Sequence, residues 1–362
     1  MNRSIETVLR RLAPIVAAFA IFVIALQLTG FAGTDVIGAI IRGSVGTPNA
    51  LLQSVRWSFP LMLVGLAALV SFRAGYFNVG GLGQFYLGAI AATAVSTSLP
   101  DAPPFVTIPL SLLAGIAAGA LWSGFPGFLR VRYGADEVVT TIMANFIAQL
   151  LLAYLVSGPM MDRSSATAQG AASPPVPEQF RISSSTGISP ITIGLVVVAV
   201  VIIAFVINRT SFGILSGIAG RNGLMLAWQG IRVNRIGIQS FLISGGLAGL
   251  AGSMEILGPT GKLVTGISPQ IGNNAILVAL VAGLAVSGAI VSAFFFGALT
   301  AASLFLPVAV QLPASAIVVL NGIIAILVTA HVKLPALRRA VPSPKLDRPS
   351  PGSDDHAKPK DL

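Results

Sequence analysis

The chain has 362 residues, of which 54% are hydrophobic and 9% charged, with a mean hydropathy of +0.87 and a formal net charge of +10. Soluble domains carry about a quarter charged residues, so an ordinary water-soluble enzyme or scaffold is excluded. Cysteine is absent, which excludes disulfides and thiol chemistry and leaves the redox compartment unreadable.

In chain order, residues 1–11 carry Arg3, Arg10 and Arg11 and form a short basic leader to a first apolar span at 12–29. That span lacks a small-residue cleavage motif and more spans come after it, so it is expected to be retained. Further spans are expected at about 53–72, 78–98, 105–124, 138–157, 190–208, 236–256, 273–287, 290–306 and 313–332. The longest charge-free stretch, Leu263 to Val332, is 70 residues long. As continuous helix it would reach roughly 100 Å, more than three bilayer cores, so it must fold back on itself. The runs lack period-two alternation, which excludes an outer-membrane barrel. The fold class is an all-α polytopic membrane protein of about ten transmembrane helices, with 12–332 as the membrane domain.

With the amino terminus inside, 17 of the 22 Lys and Arg fall on the cytoplasmic side, leaving Arg42, Arg56, Arg163, Arg181 and Lys262 outside. Lys and Arg concentrate on cytoplasmic loops, so this asymmetry supports both the span count and cytoplasmic termini. The positive charge thus reflects topology and attraction to anionic lipid, and no nucleic-acid partner is implied.

Between the second and third spans, Arg73–Gln84 reads RAGYFNVGGLGQ. Gly75, Gly80, Gly81 and Gly83 disfavour regular helix there, while Asn78 and Gln84 add polar groups. Broken backbone at membrane depth is tolerated where it is buried in protein or lines a wet cavity. The element therefore either borders a solute path or forms a simple cytoplasmic hairpin. At the start of the fifth span, Asp136 and Glu137 complement a helix amino terminus. Thr140, Thr141, Asn145 and Gln149 come next, with Asn145 and Gln149 one turn apart on one face. The outer loop 158–189, with Pro174, Pro175 and Pro177, is expected to be irregular and able to pack on the outer mouth.

Residues 209–235 interrupt the apolar sequence with Arg209, Arg221, Arg232 and Arg235. Asn222 suits a helix start and Gly230 a helix end, leaving one or two turns that expose Leu224, Met225, Leu226 and Trp228. An apolar knob facing the cytosol needs a partner to cover it or must lie on the lipid surface. In the seventh span, Gly245–Gly249 and Ala248–Gly252 form small-xxx-small registers suited to close helix packing. Glu255, near its outer end, is expected to be a solvated terminus or a charge lining the external mouth. Asn273 and Asn274 open the next span. The segment 333–362 is expected to be cytoplasmic, and from Pro342 it has too little apolar surface to fold.

Bilayer enzymes usually cluster carboxylates, histidines or a serine–base pair near one face. The two histidines here are His331, at a span end, and His356, in the tail, and no phosphate-binding loop accompanies any Gly-rich run. No catalytic residue, metal site or cofactor is expected. The uncharged polar candidates Asn78, Gln84, Asn145, Gln149 and Asn273 suit a neutral, hydroxyl-rich solute better than an ion.

GYFNVGGLGQFYLGA at Gly75–Ala89, DEVVTTIMANFIAQLLLAYLVSGP at Asp136–Pro159, GRNGLMLAWQGIRVNR at Gly220–Arg235 and FLISGGLAGLAGSMEILG at Phe241–Gly258 resemble the permease subunits of bacterial ABC importers for sugars and nucleosides. The second match is typical of the nucleoside-transporting subgroup, and the third resembles the cytoplasmic coupling loop. Leu82 stands where that family often has Glu, and Met225 and Leu226 replace the usual small pair of the coupling helix. The resemblance implies a bacterial plasma-membrane subunit with no ATPase activity of its own. It further implies three protein partners: cytoplasmic ATPase subunits, a second permease (identical or related) and an extracytoplasmic solute-binding protein. Asn222, Leu224, Met225, Trp228 and Gly230 would then contact the ATPase. A ribose-type sugar permease is the near alternative. An ion-coupled carrier is the distant one, since it needs ionisable residues inside spans.

Overall fold

A computed structural model describes residues 3–163, 171–183 and 186–338. These fold into twelve α-helices: α1 Arg3–Leu28, α2 Gly33–Ser44, α3 Pro48–Arg73, α4 Gly81–Ser98, α5 Pro104–Tyr133, α6 Glu137–Ser157, α7 Pro190–Arg209, α8 Ser211–Trp228, α9 Val233–Glu255, α10 Ile271–Val281, α11 Val286–Val310 and α12 Ser315–Arg338.

Many boundaries arise from local chemistry. The first N–H groups of a helix lack intrahelical partners, and short polar side chains supply them. Thr47 caps α3 ahead of Pro48, accepting from the Ala50 amide at 3.1 Å. Asp136 Oδ1 caps α6, accepting from Val138 at 2.8 Å and Val139 at 3.0 Å, as the acidic pair suggested. Ser189 caps α7 ahead of Pro190. Gly134, at φ +70, closes α5 in the left-handed conformation that glycine adopts without strain.

The centre of the molecule is the trio α4, α5 and α9, with α3 against it. Helices α10, α11 and α2 cover the other side of α3, α1 lies on α12, and α6 and α7 lie outermost. The trio is joined by glycines. A Cβ at Gly249 would run into the Gly115 carbonyl, one at Gly88 into Gly249, one at Gly119 into the Gly245 carbonyl, and one at Gly252 into the Phe85 carbonyl. Side-chain-free backbone is what permits this approach, so the Gly245–Gly249 register serves packing.

Among the described residues, six helices are long and apolar enough to cross a membrane: α3, α5, α6, α7, α9 with its extension to Thr260, and α11. The expected spans at 12–29 and 313–332 correspond to shorter apolar helices, Ala13–Leu28 and Ser315–Ala330. The expected single span 273–287 is broken, because α10 stops at Val281 and the chain turns through Leu284, at φ +59, before α11. Gly81 and Gly83, expected to disrupt helix, lie inside α4, and only 74–80 is irregular. Helix α2 was not expected. It docks by one face along its length, burying Val36, Ala39 and Ile40, and at its end Gly43 meets Phe305 and the Ser44 carbonyl accepts from Ser54 Oγ at 2.6 Å.

Beyond α9 the chain continues as a π-turn, Ile256–Thr260, containing Pro259. Residues 171–183 pack on this turn and on residues 261–263. Val176 donates to the Gly261 carbonyl at 2.8 Å, Ile182 to that of Leu257 at 2.8 Å and Ser173 to that of Leu263 at 2.9 Å, with Phe180 fully buried. Residues 339–362, which include the expected disordered tail from Pro342, lie outside the described residues. Helix α12 carries the chain six residues past the expected start of the cytoplasmic segment at 333.

Candidate functional site: a polar node linked to an exposed apolar turn

Two of the sequence candidates meet in one buried cluster. Asn78, 3% exposed, stands at the end of the irregular stretch between α3 and α4. Its Nδ2 donates to Ser244 Oγ of α9 at 2.9 Å and Ser123 Oγ of α5 at 3.3 Å. Its Oδ1 accepts from Gln84 Nε2 and from the Gly80 amide, each at 2.9 Å. A single side chain thereby ties three helices, and its hydrogen-bonding capacity is used in full, as a buried polar group requires. Asn145 of α6 serves the same stretch from outside. Its Oδ1 accepts from the Gly83 amide at 2.8 Å and its Nδ2 donates to the Val79 carbonyl at 3.0 Å. Thr141 Oγ1 accepts from the Val79 amide at 3.3 Å. The backbone groups left free by the missing helix are therefore satisfied by α6.

The remaining polar candidates do not join this cluster. Gln149 is exposed on α6, and Asn273 is exposed at the start of α10. The neighbouring Asn274 is the one that turns inward, at 5% exposed, with its Oδ1 accepting from Asn321 Nδ2 at 3.0 Å.

The stretch 74–80 is also clamped to the charged loops. Tyr76 lies edge-on to Phe241, with ring centroids 5.9 Å apart, and touches Gly237 of α9. Burial pushes the Tyr76 phenol up, while nearby Arg130 pulls it down and Glu137 pushes it up. Glu137 pairs with Arg130 at 3.0 Å and faces the Phe77 amide.

Helix α8 contains a kink at Asn222, whose backbone is extended at φ −155. Its Oδ1 accepts from the Met225 amide at 3.1 Å, so a new helical turn starts there, as the sequence suggested. Gly230, at φ +76, ends it: its amide donates to the Ala227 carbonyl and the Ile231 amide to that of Leu226, the paired bonds of a Schellman cap. Leu224, Met225 and Trp228 are exposed, Trp228 at 83%. Leu226, expected to be exposed with them, is 1% exposed. It plugs a small core with Ala74 and Ile236, flanked by Leu215, Ile218 and Val233. On a turn of 3.6 residues, one of four consecutive apolar side chains must face the body that holds the turn. Gly220 lies directly on the backbone of Arg73 and Gly75. The exposed turn is thus seated on the same stretch that ends at Asn78.

At the other end, Glu255 is neither solvated nor free. It is 5% exposed and pairs with Arg56 of α3 at 2.8 Å, while Thr260 Oγ1 donates to it at 2.9 Å. The π-turn and a cation from α3 remove it from solvent. Sequence reasoning missed Arg56, Ser123, Ser244 and Asn321. An amide within the apolar run 313–332 was the available signal for Asn321, because polar side chains within spans are costly without a purpose. The two serines resemble any small helix-packing residue and carried no such signal.

Residues 50–329 match the family described as branched-chain amino acid transport system / permease component. The guanosine ABC transporter permease protein of Bacillus subtilis is 31% identical over 333 residues, covering 91% of this chain and 95% of that protein. The nucleoside ABC transporter permease protein of Lactococcus lactis is 29% identical over 83% of this chain and 84% of its own length. The glucose ABC transporter permease protein of Haloferax volcanii is 28% identical over 86% of this chain and 84% of its own. No solved structure matches. With more than three-quarters of its length inside the family match and six helices long and apolar enough to cross a membrane, the chain belongs to the permease-component family of such transport systems and is a multi-pass membrane protein.

Proposed function

We propose that the chain is the transmembrane subunit of an ATP-driven ABC importer and that its solute is a neutral nucleoside. The likeness to permeases named for guanosine and for nucleosides, over more than four-fifths of the chain, is the observation that carries this reading. A sugar solute is the second reading, favoured by the likeness to the glucose permease. In the proposed topology the chain crosses the membrane ten times, with α2 lying at the outer face and α8 at the inner one. The 11-residue α10, too short at about 16 Å to cross alone, completes one passage together with the non-helical 261–270. Both termini are cytoplasmic. ATPase subunits bind beneath, a second permease copy or relative lies alongside, and a binding protein delivers solute from outside.

In this scheme α8 is the mechanical joint. Leu224, Met225 and Trp228 enter a groove on the ATPase, as an amphipathic turn does. The push received there passes through Leu226 and Gly220 to Ala74 and Gly75, and along 74–80 to Asn78. The node of Asn78, Gln84, Ser123 and Ser244 has alternative partners of equal kind, so it can exchange bonds between two arrangements of α4, α5 and α9. Asn145 braces the same path from α6, whereas Gln149 and Asn273, exposed and outside the node, take no part in this transmission. Asn222 and Gly230 hold the turn in shape so that force is transmitted rather than absorbed.

Replacing Met225 and Trp228 together with Asp should abolish co-purification of the ATPase while membrane insertion and elution profile stay unchanged. ATPase recovered at wild-type yield would sink the joint. The absence of native cysteine allows a direct topology test. Trp228→Cys should react with a membrane-impermeant maleimide only in inside-out vesicles, and labelling from the outer face would refute the arrangement. Uptake of labelled guanosine and ribose by vesicles holding the full complex decides between the two solutes.

A further inference from the structure

Distinct from the node at Asn78, a cavity of about 300 Å³ lies within the single chain, walled by α3, α10, α11 and α12. Its lining includes the starts of α10 and α12, with Gln270, Ala314 and Ser315. Its volume stands at the small end of the roughly 300–1,000 Å³ range of small-molecule sites, and its walls are mostly apolar with a few polar groups, the usual character of such sites. None of its lining residues is charged.

Three lining groups give it a chemical signature. Asn321 is 5% exposed; its Nδ2 is engaged by Asn274, and its Oδ1 has no hydrogen-bond partner among the described residues. Trp57 Nε1 is likewise buried without a partner. Thr300 Oγ1 donates to the Phe296 carbonyl at 2.8 Å and accepts only a long bond, 3.5 Å, from Asn274 Nδ2. Buried polar atoms are nearly always paired. A bare acceptor and a bare donor on residues that wall one cavity, both closed to water as they stand, are therefore capacity that a side-chain rotation would offer to a ligand bringing one of each. The Trp57 ring is held in place: the Arg56 guanidinium lies 4.0 Å from its centroid and is itself fixed by Glu255 at 2.8 Å. Leu61, Ile317 and Val318 supply the apolar walls.

We infer that this cavity is a solute-recognition site contained within one permease subunit, and that it takes a neutral ligand of nucleoside size whose base edge supplies a donor to Asn321 and an acceptor to Trp57. The absence of lining charge disfavours nucleotides, whose phosphates need cationic or N–H partners. The apolar walls favour a flat heterocycle over a free sugar, which exposes hydroxyls on every side. The inference rests on the nucleoside reading above and adds a place to it. A pathway shared between two subunits would instead need residues from both to complete the site.

The test uses the full complex with its ATPase and binding protein, reconstituted in vesicles, and measures initial rates of labelled guanosine and labelled ribose uptake. Asn321→Leu, close in volume, removes the acceptor. Trp57→Phe removes only the donor and keeps an aromatic ring. Asn321→Leu should raise the KM for guanosine at least about tenfold and Trp57→Phe several-fold, in keeping with the loss of one buried hydrogen bond each. ATPase co-purification should be unchanged in both. Wild-type KM in both variants overturns the site while leaving the permease reading intact. Should Asn321→Leu fail to fold, Trp57→Phe decides alone. A wild-type complex that carries ribose and not guanosine overturns the ligand class, and one that carries neither overturns the functional reading and the site together.

Discussion

Helices α7 and α9 show how differently two spanning segments of one protein are used. The strongest 18-residue window of α7 is the most apolar of the six spans, yet only 28% of it is buried inside the molecule. The window of α9 and its extension is the least apolar of the six, and 89% of it is buried. In water the order would be the reverse. In a bilayer, lipid tails satisfy Val197, Val198, Val201 and Phe205 as well as protein would, so apolarity gives α7 no reason to go inside. What draws α9 to the centre is small size and polar groups: Gly245, Gly249 and Gly252 let backbones meet, and Ser244 bonds across to Asn78 and Ser253 to the Gly88 carbonyl, partners that lipid cannot supply. Interior and exterior are sorted here by shape and hydrogen bonding rather than by hydropathy.

The largest expected effect is at Gly249. Its missing side chain leaves space only for the backbone of Gly115 and Gly119. Gly249→Leu should therefore cost more than the about 1–3 kcal/mol of ordinary overpacking, because backbone, unlike a side chain, has no other rotamer to adopt. Monodisperse protein should be lost in size-exclusion chromatography. Val201→Leu on α7, which adds a single methylene facing lipid, should elute as wild type. Equal behaviour of the two variants would break the contrast between the helices.

A smaller effect sharpens it from the polar side. Asn78→Leu leaves the Ser123 and Ser244 hydroxyls, the Gln84 amide and the Gly80 N–H short of partners. Each such loss costs about 1–3 kcal/mol in soluble proteins, and bilayer measurements of single hydrogen bonds average nearer ~0.6 kcal/mol. The helices, joined by their glycines, should still assemble, while guanosine uptake by the complex should fall by roughly tenfold, as a loss of about 1.4 kcal/mol implies. Asn145→Leu, which removes two bonds from outside the cluster, should do the same more weakly. Normal uptake in both variants would remove these amides from the working parts.

These particular residues also mark what the sequence could and could not disclose. The class of the fold was legible, because 9% charge and long apolar runs leave few alternatives. So were the Asp136 cap, the Asn222 and Gly230 caps and the Gly245–Gly249 register, since each is a local rule acting over a short stretch of chain. The break after Val281 was not, because Ala282, Gly283 and Leu284 sit in a run whose hydropathy never falters, and only tertiary packing decides where it turns. Asn273 and Asn274 were indistinguishable in sequence, and one residue of helical rotation, about 100°, makes one of them exposed and the other buried. The partnership of Arg56 with Glu255, 199 positions apart, was invisible for the same reason: nothing local registers it. Leu226 is the intermediate case. Its apolarity was plain, but which of the neighbouring apolar side chains faces inward depends on where Asn222 starts the turn.

That dependence makes Asn222 the site of the smallest and most specific effect. Helix α8 is the one place where exposed large apolar side chains are proposed to meet neither lipid nor the protein's own core, so its geometry must be fixed by other means. The Asn222 cap is one of them: it lets the backbone leave the helix at φ −155 and begin again with Met225 bonded. Asn222→Ala removes that acceptor, and cap losses run about 0.5–2 kcal/mol. Neither Leu224, Met225 nor Trp228 is altered, so the apolar surface offered to the ATPase keeps its composition, and Leu226 remains available to anchor the turn. Binding of the ATPase should therefore persist with a modest loss of affinity, whereas the number of ATP molecules hydrolysed per guanosine imported should rise, because a frayed turn absorbs part of the stroke. Asn222→Asp and Asn222→Ser retain a capping oxygen and should restore the ratio, which a purely steric role for the side chain would not produce. If Asn222→Ala instead hydrolyses and transports in the wild-type proportion, the turn is held by Gly230 and Leu226 alone, and the kink in α8 has no part in the coupling.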